Sequence, residues 1–400
     1  MENTDKRKIS GTGWVMIAIS LMILFTCGFL TALVGIDYGP HEEIALSLTP
    51  GDPIGLFKAH PEPLWHLFTY AAVKLLHCRV EIAAGLVSGM FIVLTYIIAF
   101  ATIRRTVPGL ESHEIAGLDL VLHLVGAIYV PMFNKEPYLG QGTPNIWHNP
   151  TSIAVKPFAL FAFVLFSDMV MESRKSDFEK NIPLGKAIAA AILLILTCLA
   201  KPCFVQVFYP AIFTLMVLWL IMYKGKNFKT ALQLFLVCLP SLIVMIMQLV
   251  IAFYTSGGES EGIAIMPFVV AGARTPSILI STILLLAFPV VMLVLAAIRK
   301  SLNWGDALGW FMVLWGLIWR LFLVEKGERL YHGNFSWGYM LAVFLGFYTA
   351  VKNYLKLYFS DQMTGNKRGF GFILATFVLA LHFISGLYYV FYIGVLGNWI

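Results

Sequence analysis

Hydrophobic and polar positions alternate along this chain on a long wavelength. Runs of about 20 largely apolar residues, the length that crosses a bilayer as a helix, are separated by short polar or basic stretches. They fall near 14–35, 82–103, 116–133, 153–171, 185–201, 203–223, 230–253, 277–298, 306–324, 336–354 and 370–395, which predicts eleven spans. The first run is too long for a cleaved leader, and no small-residue cleavage site follows it. The expected fold is all-α: a polytopic transmembrane helix bundle forming one integral membrane domain over residues 1–400. Its parts are a tail at 1–13, a long first loop at 36–81 and further loops at 134–152 and 325–335.

The stretch 61–77, PEPLWHLFTYAAVKLLH in single letters, has a different pattern. Pro61 and Pro63 suit a helix start. Glu62, His66, Tyr70 and Lys74 form an i, i+4 polar stripe, and Leu64, Trp65, Leu67, Phe68, Leu75 and Leu76 fill much of the remainder. That pattern predicts an amphipathic helix lying on the membrane surface.

Composition agrees. Hydrophobic residues make up 59% of the 400 and charged residues only 12%, against roughly 25% in soluble domains; mean hydropathy is +0.81. Polar residues this sparse could not cover a water-soluble domain of this size, which excludes a cytosolic enzyme or a disordered tail. The five cysteines (Cys27, Cys78, Cys198, Cys203, Cys238) are scattered, so neither a disulfide framework nor a zinc spacing emerges.

The net charge of +6 is a topology signal rather than a nucleic-acid footprint. With 61–77 not spanning and the N-terminus cytoplasmic, most of the 28 Lys and Arg fall in inner loops, including Arg104, Arg105, Arg174, Lys175, Lys224, Lys226, Arg299 and Lys300. If 61–77 crossed, these clusters would all move outside, against the positive-inside rule.

That orientation gathers the chemistry outside. The outer loops and flanks hold Asp37, Glu42, Glu43, Glu62, Glu325 and Glu328, with His41, His60, His66, His77, His148 and His332. Asp37 lies where the first helix leaves the membrane; it can serve chemistry there, or simply cap the next helix. The loop Asn134–Thr151 is dense in Gly, Pro, Asn and aromatics, a shaped loop or a turn-rich connector. In it Asn145, Trp147, His148 and Asn149 are sugar-binding types: amides for hydroxyls and an aromatic face for a pyranose. Lys156, a turn into the next helix, implies a partner, an anionic ligand or snorkelling to the interface. In the last segment Arg329 carries a fork of donors suited to phosphate, with Lys326, His332 and Arg320 nearby; an ion pair with Glu325 or Glu328 is the alternative. His41-Glu42-Glu43 lacks the second histidine of a zinc-protease helix, and no Ser/His/Asp triad can be read. Asp119 and His123, spaced i, i+4, can pair within the bundle.

The layout resembles the GT-C class of integral membrane glycosyltransferases. The shared features are an outward-running first helix ending at an acid, a long first outer loop with amphipathic helices, a second span ending in Arg104 and Arg105, and a polar outer loop near the chain's end. The run Glu62-Pro63-Leu64-Trp65-His66-Leu67-Phe68 is similar to the Pro-Leu-aromatic segment of that loop. Repeat-unit polymerases of the Wzy type share a similar hydropathy.

The resemblance implies transfer of a sugar from a polyprenyl-phosphate donor to an extracytoplasmic glycan or lipid-linked acceptor, by an inverting single displacement. The general base would be Asp37. Tyr38 follows it where the class commonly has a second acid, so Glu42 and Glu43 are the other candidates. Substrate contacts would fall to His41, Glu62, His66, Lys135, Asn145, Trp147, His148, Asn149, Lys156, Arg329 and His332. Phosphate leaves well when cations meet its charge, so the scheme requires no metal or other cofactor, and no second carboxylate as acid. A bacterial inner (plasma) membrane is the expected location, in cell-envelope polysaccharide biosynthesis. The alternatives are an O-antigen or capsule-type repeat-unit polymerase or ligase, with Arg274 and Arg329 central, or a polytopic transporter or flippase. A transporter predicts repeated halves and ionisable groups at mid-membrane; the eleven unequal spans argue against it.

Overall fold

The computed structural model describes residues 8–35, 37–49, 51–52, 55–57, 60–133, 140–255, 262–364, 369–394 and 396–397. Those residues form a helical bundle with one two-stranded ribbon. In chain order the helices are α1 (Gly11–Val34), α2 (Tyr38–Ser47), α3 (Leu64–Leu76), α4 (Val80–Thr106), α5 (Ser112–Leu124), α6 (Pro150–Lys175), α7 (Leu184–Ala200), α8 (Cys203–Met222) and α9 (Phe228–Thr255). Strand β1 (Ile263–Ile265) and the short α10 (Val269–Arg274) follow, then α11 (Ile278–Ile298), α12 (Trp304–Phe322), β2 (Leu323–Glu325), α13 (Ser336–Thr364) and α14 (Phe370–Gly394). The strands pair antiparallel, Ala264 opposite Val324.

Among the described residues, seven helices are long and apolar enough to cross a bilayer: α1, α4, α6, α8, α9, α11 and α14. The chain is therefore an integral membrane protein of helical-bundle type. Helices α1 and α4 approach closely because glycines face each other: a Cβ on Gly28 would lie 3.2 Å from Gly89 Cα. Small residues permit such contact where no hydrophobic effect drives helices together. Helix α13 is buried nearly all round from Gly338 to Val351, the signature of a central helix.

The run 116–133 differs from the expected continuous span. Helix α5 stops at Leu124, and Val125 begins an extended segment. Neighbouring helices satisfy its backbone: Gly126 N donates to His382 O at 3.0 Å, Ile128 N to Leu284 O at 3.1 Å and Tyr129 N to Ser385 Oγ at 3.1 Å. Non-helical backbone among apolar helices persists only when protein supplies such partners. Within α5, His123 Nδ1 lies 3.3 Å from Asp119 Oδ1, the expected pair.

Helix α3 forms within the predicted 61–77 stretch. Leu64, Trp65, His66 and Thr69 pack inward, while Phe68, Leu75 and Leu76 are exposed. The protein thus covers part of the polar stripe and leaves the apolar flank open, as suits a helix with lipid on one side.

Candidate functional site

One cavity of about 1020 Å³ opens at one end of the bundle. It is bounded by the C-terminal ends of α7, α9 and α12, the N-terminal ends of α6, α8 and α13, the start of α2 and the segment before α3. Ribbon strands and the Gly327–Arg329 turn complete the rim.

The centre of the polar wall is Asn149. It is the N-cap of α6, where its Oδ1 accepts from Ser152 N at 3.0 Å and Pro150 takes the first helical position, as a helix start favours. The same oxygen accepts from Thr151 Oγ1 and Lys201 Nζ, each at 3.0 Å. Its Nδ2 donates to Asp37 Oδ2 at 3.1 Å. One amide therefore links the carboxylate that follows α1 to the ammonium between α7 and α8, and fixes both.

Lys201 also donates to Ser152 Oγ at 2.9 Å and lies 4.2 Å from the centre of the Trp337 ring. Burial lowers its pKa, with Glu62, Cys203 and Asp37 pulling the other way. His148 Nε2 sits 4.0 Å from Asp37 Oδ2, and its Nδ1 is 2.9 Å from Tyr389 OH. Burial holds His148 down at about 4, with Asp37 opposing and Lys201 reinforcing; at neutral pH the ring is uncharged. Burial raises Glu62 to about 7, and Lys201 counters part of that rise. Asp37 itself stays accessible, its side chain 39% exposed.

Of the residues expected from sequence, Asp37, His41, Glu62, His148, Asn149, Arg329 and His332 line this cavity together. Glu42 is half-buried and Glu43 exposed, and neither lines it. His66 is fully buried behind the wall, in contact with His41. Asn145, Trp147 and Lys156 form a separate interior cluster. There Lys156 Nζ donates to Asn145 Oδ1 at 2.8 Å and lies over the Phe344 ring, while Asn145 Nδ2 donates to Leu122 O and Val125 O at the end of α5. The intramembrane charge has found an internal partner, as such charges must. Lys135 lies outside the described residues. Arg320 braces the polar loop through Gln141 O and Gly140 O.

Sequence reasoning left out Lys201, and with it Gln206, Tyr209, Gln248 and Trp337 on the same wall. For Lys201 a signal exists: a lysine in the two-residue connector Lys201-Pro202 between apolar helices. Gln248 shapes the site by donating to Pro61 O at 2.6 Å and Cys198 O at 2.8 Å, which ties α9 to the segment before α3. Elsewhere on the rim Arg274 Nη2 donates to Tyr331 O at 2.8 Å, and Asn334 donates to Glu325 Oε2 (2.6 Å) and accepts from Trp337 Nε1 (3.1 Å).

No protein-family model matches the chain, and no curated protein matches it.

Proposed function

We propose that this membrane protein is a GT-C-like glycosyltransferase that moves a sugar from a polyprenyl-phosphate donor to a hydroxyl of a glycan or lipid-linked acceptor. The observation that carries the reading is the cavity itself, where the accessible Asp37 carboxylate stands one amide away from Lys201, with Arg274 and Arg329 also on its lining. Its volume exceeds most small-molecule sites and leaves room for a sugar, a phosphate and the first isoprene units. Val205, Met245, Leu249 and Leu323 supply an apolar side for the last of these.

The acceptor oxygen attacks the anomeric carbon while Asp37 takes its proton. The bond from that carbon to the phosphate oxygen breaks, and its electron pair leaves with polyprenyl phosphate. Lys201, Arg274 and Arg329 meet the charge that develops there. A single displacement inverts the anomeric centre.

The finer topology belongs to the same proposal: eleven crossings, N-terminus cytoplasmic, cavity extracytoplasmic, in a bacterial inner membrane. In that arrangement α7, α12, α13 and the α5 region cross along with the seven long apolar helices. Every helix end at the cavity is then an outer end, whereas Arg104 and Arg105, Arg174 and Lys175, and Arg299 lie at inner ends. This agreement supports the orientation.

The test is transfer of labelled sugar from polyprenyl monophosphate by membranes carrying wild type or Asp37→Asn. Transfer by wild type alone, at equal protein levels, is the expected result; no transfer by wild type across a broad monophosphate donor panel would overturn it. The two cavity arginines also favour a second reading, a repeat-unit polymerase, which would consume a diphosphate-linked donor instead.

A further inference from the structure

We propose that His41, His60 and His66 form a binding site for one divalent ion of the zinc type, beside the cavity that His41 lines. Spacing along the chain gives no metal motif here, because the three residues come from α2, the segment before α3, and α3 itself. Folding brings their ligand nitrogens within 4.8 Å of one another.

The rings meet edge to edge through their nitrogens rather than in a plain aromatic stack, His41 and His66 sharing a hydrogen bond. His41 Nδ1 lies 2.8 Å from His66 Nε2. Two imidazoles on one tetrahedral zinc place their nitrogens ~3.3 Å apart, from bond lengths of about 2.05 Å, so an ion needs only a small opening of this pair. His60 completes the group, its ring centre 4.4 Å from that of His66 and 5.6 Å from that of His41. His66 Nδ1 lies 3.1 Å from Glu62 O and donates to that carbonyl, which makes Nε2 the acceptor of the hydrogen bond from His41 Nδ1; an ion would take that lone pair and displace the His41 proton. A backbone carbonyl on the far nitrogen is how metal-binding histidines are commonly oriented. His60 accepts from Glu62 N at Nδ1 over 3.2 Å; ligation through Nε2 exchanges that long contact for a metal bond.

Three nitrogen ligands with a fourth position left open is the arrangement of catalytic rather than structural zinc. Of the three, His41 lines the cavity, so a ligand reaching the ion from the cavity would pass that residue. Under the transferase reading that ligand would be a phosphate oxygen of the donor. This role rests on that reading; the site itself does not, because its test needs no activity.

The test uses the full chain in detergent, stripped with chelator, re-equilibrated with Zn²⁺ alone, and measured for metal by mass spectrometry after gel filtration. Wild type and His77→Gln, an exposed control, are expected to hold one zinc per chain. His41→Gln and His60→Gln, monodisperse and folded, are expected to bind at least ~10-fold more weakly. Equal zinc in wild type and His60→Gln, or no stoichiometric zinc in wild type, would overturn the site. Co²⁺ titration of the wild type gives a check independent of the variants. Nitrogen-ligated visible bands support the assignment, and sulfur-to-cobalt charge-transfer bands would move the ion to the cysteines and end it.

Discussion

At the scale of single residues, Asn149 organises the site. Its oxygen holds Lys201 and its nitrogen holds Asp37, so the proposed base and a cation are positioned through one side chain. Replacing Asp37 with Asn keeps its shape and removes the proton acceptor. The expected outcome is a loss of roughly 10²–10⁴ in turnover with little change in donor KM, read from single-donor kinetics in detergent. Asn149→Leu is expected to lower turnover too and, by removing an acceptor from the Lys201 ammonium, to move the alkaline limb of the pH profile to lower pH. That limb belongs to Lys201. In the proposed mechanism its ammonium form meets phosphate charge, and burial depresses its pKa, so the active form is present at low pH and lost as pH rises through the lowered value. Activity should therefore decline below the ordinary lysine range. Lys201→Arg, whose guanidinium stays charged, should retain activity at higher pH; an unchanged limb in that variant would remove Lys201 from the mechanism.

At the scale of elements, sequence periodicity exposed some parts of the structure and concealed others. Long apolar runs needed only length and hydropathy to be found, and α3 showed itself through its polar stripe. The end of α5 was concealed, because the Val125–Val130 stretch is as apolar as a helix; its extended form depends on backbone partners from α11 and α14 that are distant in sequence. The site divides in the same way. Asp37 and Asn149 mark helix ends and could be found, whereas the gathering of His41, His60 and His66 is purely tertiary. Asn145 and Lys156 show the limit of residue type: an amide in the polar loop and a cation in the helix that follows became each other's partners. Packing of α1 on α4 gives a prediction at this scale. A Cβ on Gly89 would lie 2.8 Å from the Phe25 ring and 3.1 Å from its carbonyl oxygen. Gly89→Val should destabilise the bundle by about 1–3 kcal/mol, seen as a lower unfolding temperature in detergent.

At the scale of the whole molecule, the functional proposal depends on which side of the membrane the cavity faces. The cavity gathers the C-terminal ends of α7, α9 and α12 with the N-terminal ends of α6, α8 and α13. The basic pairs Arg104–Arg105 and Arg174–Lys175 occupy the last turns of α4 and α6, away from it. If basic ends face the cytoplasm, the cavity faces outward, where a lipid-linked donor would have to be presented. Single cysteines placed in a background without Cys27, Cys78, Cys198, Cys203 and Cys238 decide this directly. His332, exposed on the cavity rim, and Lys226, exposed beyond the far end of α8, are suitable sites. In intact cells a membrane-impermeant maleimide should label His332→Cys and spare Lys226→Cys until the membrane is permeabilised. The reverse pattern would place Asp37 and Lys201 in the cytoplasm, and with them any donor the cavity takes. Polyprenyl-phosphate transfer on the outer face would then be untenable for this chain, while the three-histidine metal site, a property of the folded chain alone, would stand unaffected.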